Sequence, residues 1–293
     1  MAGNIHRPGR PVYTKVPKVF LDHMATHLDE ILAATRRDLA GRKALANLRL
    51  LEQRAAAHTP RGFARALRER AATGPAMVAE LKKASPSRGL IRPDFDVVPL
   101  AQELAASGAA ALSVLTEENF FQGSLENLER ASAAVTVPCL RKDFIVDEFQ
   151  LLEARASGAD AILLIAAALD DATMRHLTRA AHALALDVLC EVHDATEADR
   201  VLDLGADAIG VNNRNLRTFD VNIQTAIDLA EKLPADVVRV AESGIHTATD
   251  LVRLRQAGYA AFLIGESLMR QTRPGAALQK LLAEAATLLA VSV

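Results

Sequence analysis

The amino-acid sequence predicts an α/β protein, a closed (β/α)8 barrel of parallel strands preceded by a helical extension. Two features predict this fold. Short apolar segments with strand character begin at intervals of 20 to 35 residues, and helix-like segments lie between them. Four of the helix-like segments end in a glycine, after which the next apolar segment begins. A chain of 293 residues is an ordinary length for one such barrel.

Eight segments are rich in apolar and β-branched residues and have no continuous polar face. They span Ala76–Lys82, Ala111–Glu117, Val137–Asp143, Ala161–Ala167, Val188–His193, Ala208–Arg214, Val237–Ser243 and Ala261–Ser267. Strands that are apolar on both faces need cover on both sides. The connecting helices of a parallel sheet provide that cover.

The connecting segments support a series of repeated β/α units. The junctions "SGAA", "SGAD", "LGAD" and "AGYA" each place a glycine where a helix ends and a strand follows. Glycine is preferred there because it adopts the left-handed conformation at little cost. An open, doubly wound sheet is the alternative, but it usually has fewer strands and a glycine-rich turn after the first one. Here Ser85, Pro86 and Ser87 follow the first strand.

The residues before Ala76 do not follow the β/α pattern and instead predict helices. Three helices are expected, the second over Leu45–Ala57 and the third over Phe63–Arg70. The first is indicated by apolar residues at helical spacing, which are Leu21, Met24, Leu28 and Leu32.

The expected organisation is a single domain over residues 1–293. A helical extension over residues 17–70 would pack on a barrel over residues 76–293. His23 and His27 are four residues apart, a spacing that can hold a metal ion. Because no third ligand is near, a solvated helix face is the better interpretation, and no metal site is expected.

Composition and charge narrow the class of protein. Half of the residues are hydrophobic and the net charge is −2, so no basic excess points to nucleic acid as a partner. No apolar run approaches the roughly 20 residues of a membrane span. The first residues also lack the apolar core of a secretion signal. We therefore expect a cytoplasmic protein, with Cys139 and Cys190 reduced and buried in strands.

Charged and amide side chains interrupt the predicted strands near their carboxyl ends. In "AELKKASPSRG", Glu80 and Lys82 are two residues apart and therefore share one face of the first strand. The same alternation places further polar residues on the faces turned away from the helices. The full set is Glu80, Lys82, Lys142, Glu191, Asn212, Arg214 and Glu242.

These polar side chains are expected to converge at the mouth of the barrel, where active sites of such barrels lie. A buried ion-pair network with no catalytic task is the alternative. Burying each ion costs several kcal/mol even after relaxation, so the catalytic interpretation is the stronger one.

The segments that end the last two strands, "ESGIHT" and "IGESLM", predict a phosphate site. Gly244, Gly265 and Ser267 lead towards helices, where backbone N–H groups are free to bind an anion. Phosphate sites in barrels often follow these two strands. Ser85 in the first loop is placed to reach the same group, while Ser243 either binds it or shapes the turn.

Seven motifs, in order along the chain, resemble those of the indole-3-glycerol phosphate synthase family of tryptophan biosynthesis. They are "AELKKASPSRG", "SVLTEENFFQGS", "LRKDFIVDEFQ", "CEVHD", "GVNNRNL", "VAESGI" and "FLIGESLM". The resemblance implies a TIM barrel with its helical extension over the active-site end. It also implies closure of the pyrrole ring of 1-(2-carboxyphenylamino)-1-deoxyribulose 5-phosphate, which yields indole-3-glycerol phosphate, CO₂ and water without a metal or organic cofactor.

The resemblance also implies catalytic roles. Lys142 would be the general acid of condensation, and its pKa is expected to be lowered by burial and a like-charged neighbour. Lys82 would bind the substrate carboxylate and serve in dehydration. Either Glu191 or Glu80 would be the base. Asn212 and Glu242 would orient the substrate and the lysines, and Arg214 would assist.

Other side chains near the barrel mouth have two interpretations. By resemblance, Phe121 and Phe144 flank the anthranilate ring, while packing at the barrel rim is the alternative. His193 and His246 match no catalytic position of the family and are expected to be structural. The Ser-Pro-Ser loop is expected to bend over the phosphate as a flap.

Two other functions are compatible with parts of the pattern. A Schiff-base aldolase would use Lys82 or Lys142 as nucleophile, but it does not explain carboxylates on the first and fifth strands. A barrel that only binds a phosphorylated ligand would be expected to have lost a catalytic position, and none is lost. We expect a monomer that takes a small phosphorylated substrate, and contact with other tryptophan-pathway enzymes is left open.

Overall fold

The computed structural model describes residues 27–215 and 218–291, in which eight parallel strands close into a barrel. In chain order the strands are β1 (Ala76–Leu81), β2 (Ala84–Ser85), β3 (Gly89–Leu90), β4 (Ala109–Leu115), β5 (Cys139–Lys142), β6 (Ala161–Ile165), β7 (Asp187–Val192), β8 (Ala208–Asn212), β9 (Val238–Glu242) and β10 (Ala261–Ile264). β2 and β3 form a small antiparallel hairpin, and the other strands form the barrel, in which β1 pairs with both β4 and β10. The predicted fold class is confirmed.

Helices follow every barrel strand and surround the sheet. The helices are α1 (His27–Leu45), α2 (Leu48–Ala57), α3 (Phe63–Ala71), α4 (Val97–Ala106), α5 (Leu125–Ala134), α6 (Glu148–Ala156), α7 (Asp171–Ala183), α8 (Ala195–Val201), α9 (Gln224–Leu229), α10 (Ala248–Gln256), α11 (Glu266–Met269) and α12 (Pro274–Val291). Among the described residues, no helix combines the length and the apolar character needed to cross a membrane.

Short polar side chains fix where the outer helices begin. At the start of α4, α5, α6, α7, α8 and α10, a side-chain oxygen accepts a hydrogen bond from a backbone N–H of the first turn. The N-terminal residues that do this are Asp96, Ser124, Asp147, Asp170, Asp194 and Thr247. Such a cap stabilises a helix by about 1 kcal/mol and sets its first residue.

All eight predicted strands are present, and their bounds differ from the predicted ones by three residues at most. The differences lie mainly at the carboxyl ends, where polar residues leave the sheet. The hairpin of β2 and β3, which interrupts the Ser-Pro-Ser loop, was not expected.

Side chains alternate between the barrel interior and the helices, as predicted. Ala76, Val78, Leu140 and Leu189 pack inside the barrel, and the residues two places after Val78, Leu140 and Leu189 are polar. Residues of the other parity pack under the helices in a second apolar cluster.

Both cysteines belong to that second cluster, and both are free and buried. Burial raises the pKa of the Cys139 and Cys190 thiols to about 12. They therefore remain protonated and unreactive at neutral pH. Their burial in strands is as the sequence predicts.

The helical extension contacts both ends of the barrel. The first turns of α1 lie at the carboxyl ends of the strands, and α2 packs along α6. On the far side, Phe63 and Leu67 of α3 close the opposite end against the inner layer. The resemblance implies that the helical extension lies over the active-site end. That position is wrong for α3, because its apolar face packs against the interior of the barrel at the opposite end. Residues 17–26, with Leu21, His23 and Met24, lie outside the described residues.

The predicted second helix begins later than expected, at Leu48. Asn47 stops α1 from continuing, because its side chain accepts a hydrogen bond from the Leu50 N–H and caps α2. His27 lies at the start of α1 on an exposed helix face, with its Nδ1 atom 3.6 Å from Glu30 Oε2.

A buried carboxylate joins the extension to the barrel base. Asp160, whose side chain has no exposed area, accepts hydrogen bonds from the backbone N–H and the guanidinium of Arg61, at 2.6 to 3.1 Å. The Cys139 backbone N–H and the His58 ring also contact it, at 2.6 and 3.2 Å. One side chain thus fixes the segment before α3, β5 and β6 relative to one another.

We predict that Asp160→Ala lowers the free energy of unfolding by about 3 kcal/mol. The substitution leaves the Arg61 guanidinium without its buried partner, the situation in which loss of an ion pair is most costly. Urea unfolding followed by circular dichroism measures the change.

The matched control is Asp199→Ala, which removes an exposed partner of Lys232 and should change stability by less than about 1 kcal/mol. Similar small losses in both variants would contradict the structural role of Asp160.

Candidate active site

The carboxyl ends of the barrel strands surround a cavity of about 610 Å³. This volume is within the usual range for small-molecule sites. Every residue predicted for the site lines it: Glu80, Lys82, Ser85, Phe121, Lys142, Phe144, Glu191, Asn212, Arg214, Glu242, Ser243, Gly244, Gly265 and Ser267. The structure therefore brings the predicted residues together, while their individual roles remain predictions.

Lysine and carboxylate side chains meet at the centre of the cavity. Lys142, the last residue of β5, places its Nζ 3.0 Å from Glu191 Oε2 and 3.7 Å from Glu242 Oε2. The two carboxylates come from β7 and β9, so three strands contribute to the contact. All three side chains are largely or fully buried, at 15% exposure or less.

The sequence-based expectation of a lowered pKa for Lys142 is wrong. Burial by itself lowers the pKa, but the carboxylates of Glu191, Glu242 and Glu80 more than offset it and raise the pKa above its usual value. The expectation considered one positively charged neighbour and did not consider the three carboxylates around the ammonium group. Lys142 is therefore a firmly protonated cation.

The two carboxylates beside Lys142 have opposite protonation preferences. Burial raises the pKa of Glu191, yet the nearby Lys142 and His193 bring it well below the usual value. For Glu242, burial and repulsion by Glu191 raise the pKa to about 8. Glu191 is thus ionised at neutral pH, whereas Glu242 is largely protonated.

A second lysine–carboxylate pair lies on β1 and just beyond it. Lys82 Nζ is 2.5 Å from Glu80 Oε2, in an ion pair that faces the same cavity. Glu80 is buried and Lys82 is partly exposed. The predicted sharing of one strand face is therefore seen directly.

Two glycines make room for the carboxylates. A Cβ at Gly265 would collide with Glu80 Oε2, and one at Gly210 would collide with Glu242 Oε1. The steric role of Gly265 was not predicted, and Gly210 was missed as a site residue. A glycine inside a strand was the available signal, because it often marks close approach of another group.

The turn after β9 has a conformation suited to a binding loop. Ser243 and Gly244 follow one another in the left-handed region, with φ of 64° and 76°. This conformation is uncommon for serine, and such strain is concentrated at functional sites. Ser85, Gly265 and Ser267 line the same cavity as these two residues.

A cluster of charged residues from the first loop and from the segment after β10 was missed. Arg88 and Arg270 both contact Glu266 Oε1, at 3.3 and 3.0 Å, and all three line the cavity. The position of Arg88 directly after the Ser-Pro-Ser loop was the signal that could have revealed it.

Aromatic rings line another part of the cavity. Phe121 and Phe144 have ring centroids 6.1 Å apart with planes inclined at 41°. The spacing is typical of a favourable aromatic pair. His27 and Phe219, which were not predicted, also lie at the mouth with centroids 5.3 Å apart.

The remaining predicted residues differ in their surroundings. Asn212 accepts a hydrogen bond from the Arg214 backbone N–H at 3.1 Å, and the Arg214 guanidinium donates to the Phe219 carbonyl at 3.3 Å. His246 is exposed at the rim of the cavity. His193 lies behind Glu191 and does not line the cavity.

Among residues 27–215 and 218–291, no group of three or more His, Cys, Asp or Glu side chains is arranged to hold a metal ion. The Lys142, Glu191 and Glu242 side chains can donate or accept protons, so the cavity is suited to acid–base chemistry.

Comparison with known proteins agrees with this chemistry. Residues 28–281 match the family model described as indole-3-glycerol phosphate synthase. The chain is 61% identical over 259 residues to the indole-3-glycerol phosphate synthase of Koribacter versatilis, covering 88% of this chain and 100% of that protein. For the indole-3-glycerol phosphate synthase of Burkholderia vietnamiensis the identity is 51%, over 88% of this chain and 99% of the relative.

A solved structure supports the fold at much lower sequence identity. The 3-hexulose-6-phosphate synthase of Salmonella typhimurium superposes with a TM-score of 0.59 at 12% identity, covering 72% of this chain and 99% of that one. This likeness concerns the barrel alone. The sequence matches confirm the predicted family: the chain belongs to the indole-3-glycerol phosphate synthase family.

Proposed function

We propose that this enzyme converts 1-(2-carboxyphenylamino)-1-deoxyribulose 5-phosphate to indole-3-glycerol phosphate, CO₂ and water, a lyase step of tryptophan biosynthesis. The observation that carries the proposal is the arrangement of Lys142, Glu191 and Glu242 at the centre of one cavity. The Lys82–Glu80 pair and the turn after β9 face the same space. This substrate carries a carboxylate, a carbonyl and a phosphate, and the cavity has groups suited to bind each of them.

Lys142 is the acid in the condensation step of this proposal. The aromatic carbon attacks the carbonyl carbon, and negative charge develops on the carbonyl oxygen. The Lys142 ammonium stabilises that charge and transfers a proton to it. A raised pKa does not prevent this transfer, because an alkoxide is a stronger base than an amine.

Decarboxylation and dehydration complete the ring. Loss of CO₂ restores the aromatic ring, after which the new hydroxyl leaves as water and a proton is lost from the carbon next to nitrogen. Lys82 is suited to bind the carboxylate and to protonate the leaving hydroxyl. We assign Glu191 as the base, because it is ionised and is not paired with Lys82, as Glu80 is.

The ends of the substrate have matching surroundings. Backbone N–H groups and hydroxyls near Ser85, Ser243 and Ser267 are suited to the phosphate. Phe121 and Phe144 are suited to the anthranilate ring. Glu242 and Asn212 are placed to orient the substrate. We further propose that the enzyme acts in the cytoplasm as a monomer.

A Schiff-base aldolase with Lys142 as its nucleophile is less compatible with the charges around this lysine. The nucleophilic lysine of such an enzyme must lose its proton near neutral pH. Carboxylates hold Lys142 protonated instead.

The direct test is turnover of the carboxyphenylamino-ribulose phosphate by the purified full chain. Indole absorbance and CO₂ release should rise together in buffer that contains EDTA and no added cofactor. Absence of both products, or dependence of both on an added divalent ion, would contradict the proposal.

Lys142→Met is predicted to lower kcat about 100-fold or more, because the acid of the condensation step is lost. Steady-state kinetics measure the effect, with circular dichroism to show that the fold is retained. Lys232→Met, at an exposed lysine outside the cavity, is the matched control and should leave kcat unchanged. Near-normal turnover by Lys142→Met would rule out its role as acid.

The pKa of Glu242 predicts a pH-dependent difference in stability. It is about 8 in the folded protein and about 4.3 in an unfolded chain, so folding favours the protonated form. Stability from this group is present at low pH and is lost as pH rises through about 8. A glutamine has no proton to lose, so Glu242→Gln should gain stability relative to the natural protein between pH 5.5 and 8.5.

Urea unfolding of both proteins at the two pH values measures this difference. Glu129→Gln, at a half-exposed side chain, is the control and should show no such trend. An equal difference at both pH values would show that Glu242 titrates normally.

A further inference from the structure

A chain of four alternating charges passes through the site and continues behind it. Lys142 contacts Glu191 inside the cavity, at 3.0 Å. On its other side, Glu191 Oε1 is 3.4 Å from Nε2 of His193. Nδ1 of the same ring is 3.0 Å from Glu197 Oε2. Two of these residues, His193 and Glu197, do not line the cavity and have no part in the mechanism above.

The start of α8 holds Glu197 in place. Its carboxylate accepts the His193 backbone N–H at 2.8 Å, and its own backbone N–H donates to Asp194 at 2.9 Å. The His193 ring is thereby fixed from behind, with its side chain only 10% exposed. The ring cannot turn away from Glu191 without losing its bond to Glu197.

Within this series of charges, the Nε2 atom of His193 is the feature that indicates a function. It is buried, and within the described part of the chain it makes no well-formed hydrogen bond, although Glu191 Oε1 lies within ion-pair distance. Burying a polar atom without a hydrogen bond costs free energy, unless the atom stabilises a nearby charge. The nearest such charge is the carboxylate of Glu191.

We propose that His193 is a positioning residue for the reaction: held by Glu197, its cationic ring keeps the Glu191 carboxylate fixed and ionised while Lys142 gives up its proton. This inference rests on the proposed function. When Lys142 transfers its proton to the carbonyl oxygen, Glu191 loses its cationic neighbour in the cavity. The positive ring of His193 remains beside it, so Glu191 stays an anion that can accept the next proton.

The charges around Glu191 and His193 are consistent with this role. Burial lowers the pKa of His193, but Glu191 and Glu197 bring it to about 10, so the ring is positive at neutral pH. Glu191 also faces Lys142 from β5 and Glu242 from β9, and Glu80 from β1 acts on both of these. Burial by itself opposes ionisation of Glu191, so a second cation is needed once Lys142 is neutral.

His193→Gln tests the proposal through the pH dependence of kcat. Without the cation the pKa of Glu191 rises, so the acidic limb should move to higher pH by about one unit or more. KM should stay within about twofold of the natural enzyme, because His193 does not touch the substrate. An unchanged acidic limb would overturn the proposal.

The matched control is His182→Gln, which breaks a His–carboxylate pair with Asp207 at the opposite end of the barrel and should leave the limb unchanged. Turnover by the unmodified enzyme is measured first. If that enzyme is inactive, the proposed function fails; if it is active and the variant has the same pH profile, only the role of His193 fails.

A measurement on the unmodified enzyme covers the case in which His193→Gln does not fold. NMR of histidine labelled with ¹³C and ¹⁵N, titrated from pH 5 to 9, should show the His193 ring still protonated at pH 8. A neutral His193 ring at pH 7 would overturn the proposal.

Discussion

The site depends on a buried ammonium group, that of Lys142, surrounded by carboxylates from three other strands. Separated from these carboxylates, the lysine would favour its neutral form, because burial lowers its pKa. The carboxylates would in turn be destabilised, since burial and repulsion by Glu191 raise the pKa of Glu242. Each charge is therefore stable in this place because the others are present, and the same balance leaves one acid and one base ready at neutral pH.

The barrel is what makes this balance possible. Parallel strands in register bring residues that are distant in sequence to one rim, and Asn212 of β8 lies directly beside Glu242 of β9. The interior below the rim is filled by small and branched apolar side chains and is closed at the base by α3. Glycines at positions 210 and 265 leave space for carboxylates that a methyl group would displace. The rigid lower barrel thus holds the charges that the upper rim exposes to substrate.

Much of this arrangement could be predicted from the sequence because strands impose a simple alternation. Polar residues two places after Val78, Leu140 and Leu189 could be assigned to the interior from parity alone. The pKa of Lys142 could not, since it depends on how many carboxylates surround it in three dimensions. The same limit applies to His193: parity placed it near Glu191, but its contact with Glu197 depends on how α8 begins.

NMR of the Lys142 side-chain nitrogen measures whether the surrounding carboxylates keep this buried amine protonated. With ¹⁵Nζ-labelled lysine, and with Lys142→Met to assign the signal, the resonance should remain that of an ammonium group at pH values above about 10.4, where an ordinary lysine loses its proton. Deprotonation of Lys142 near neutral pH would show that the carboxylates do not hold its proton.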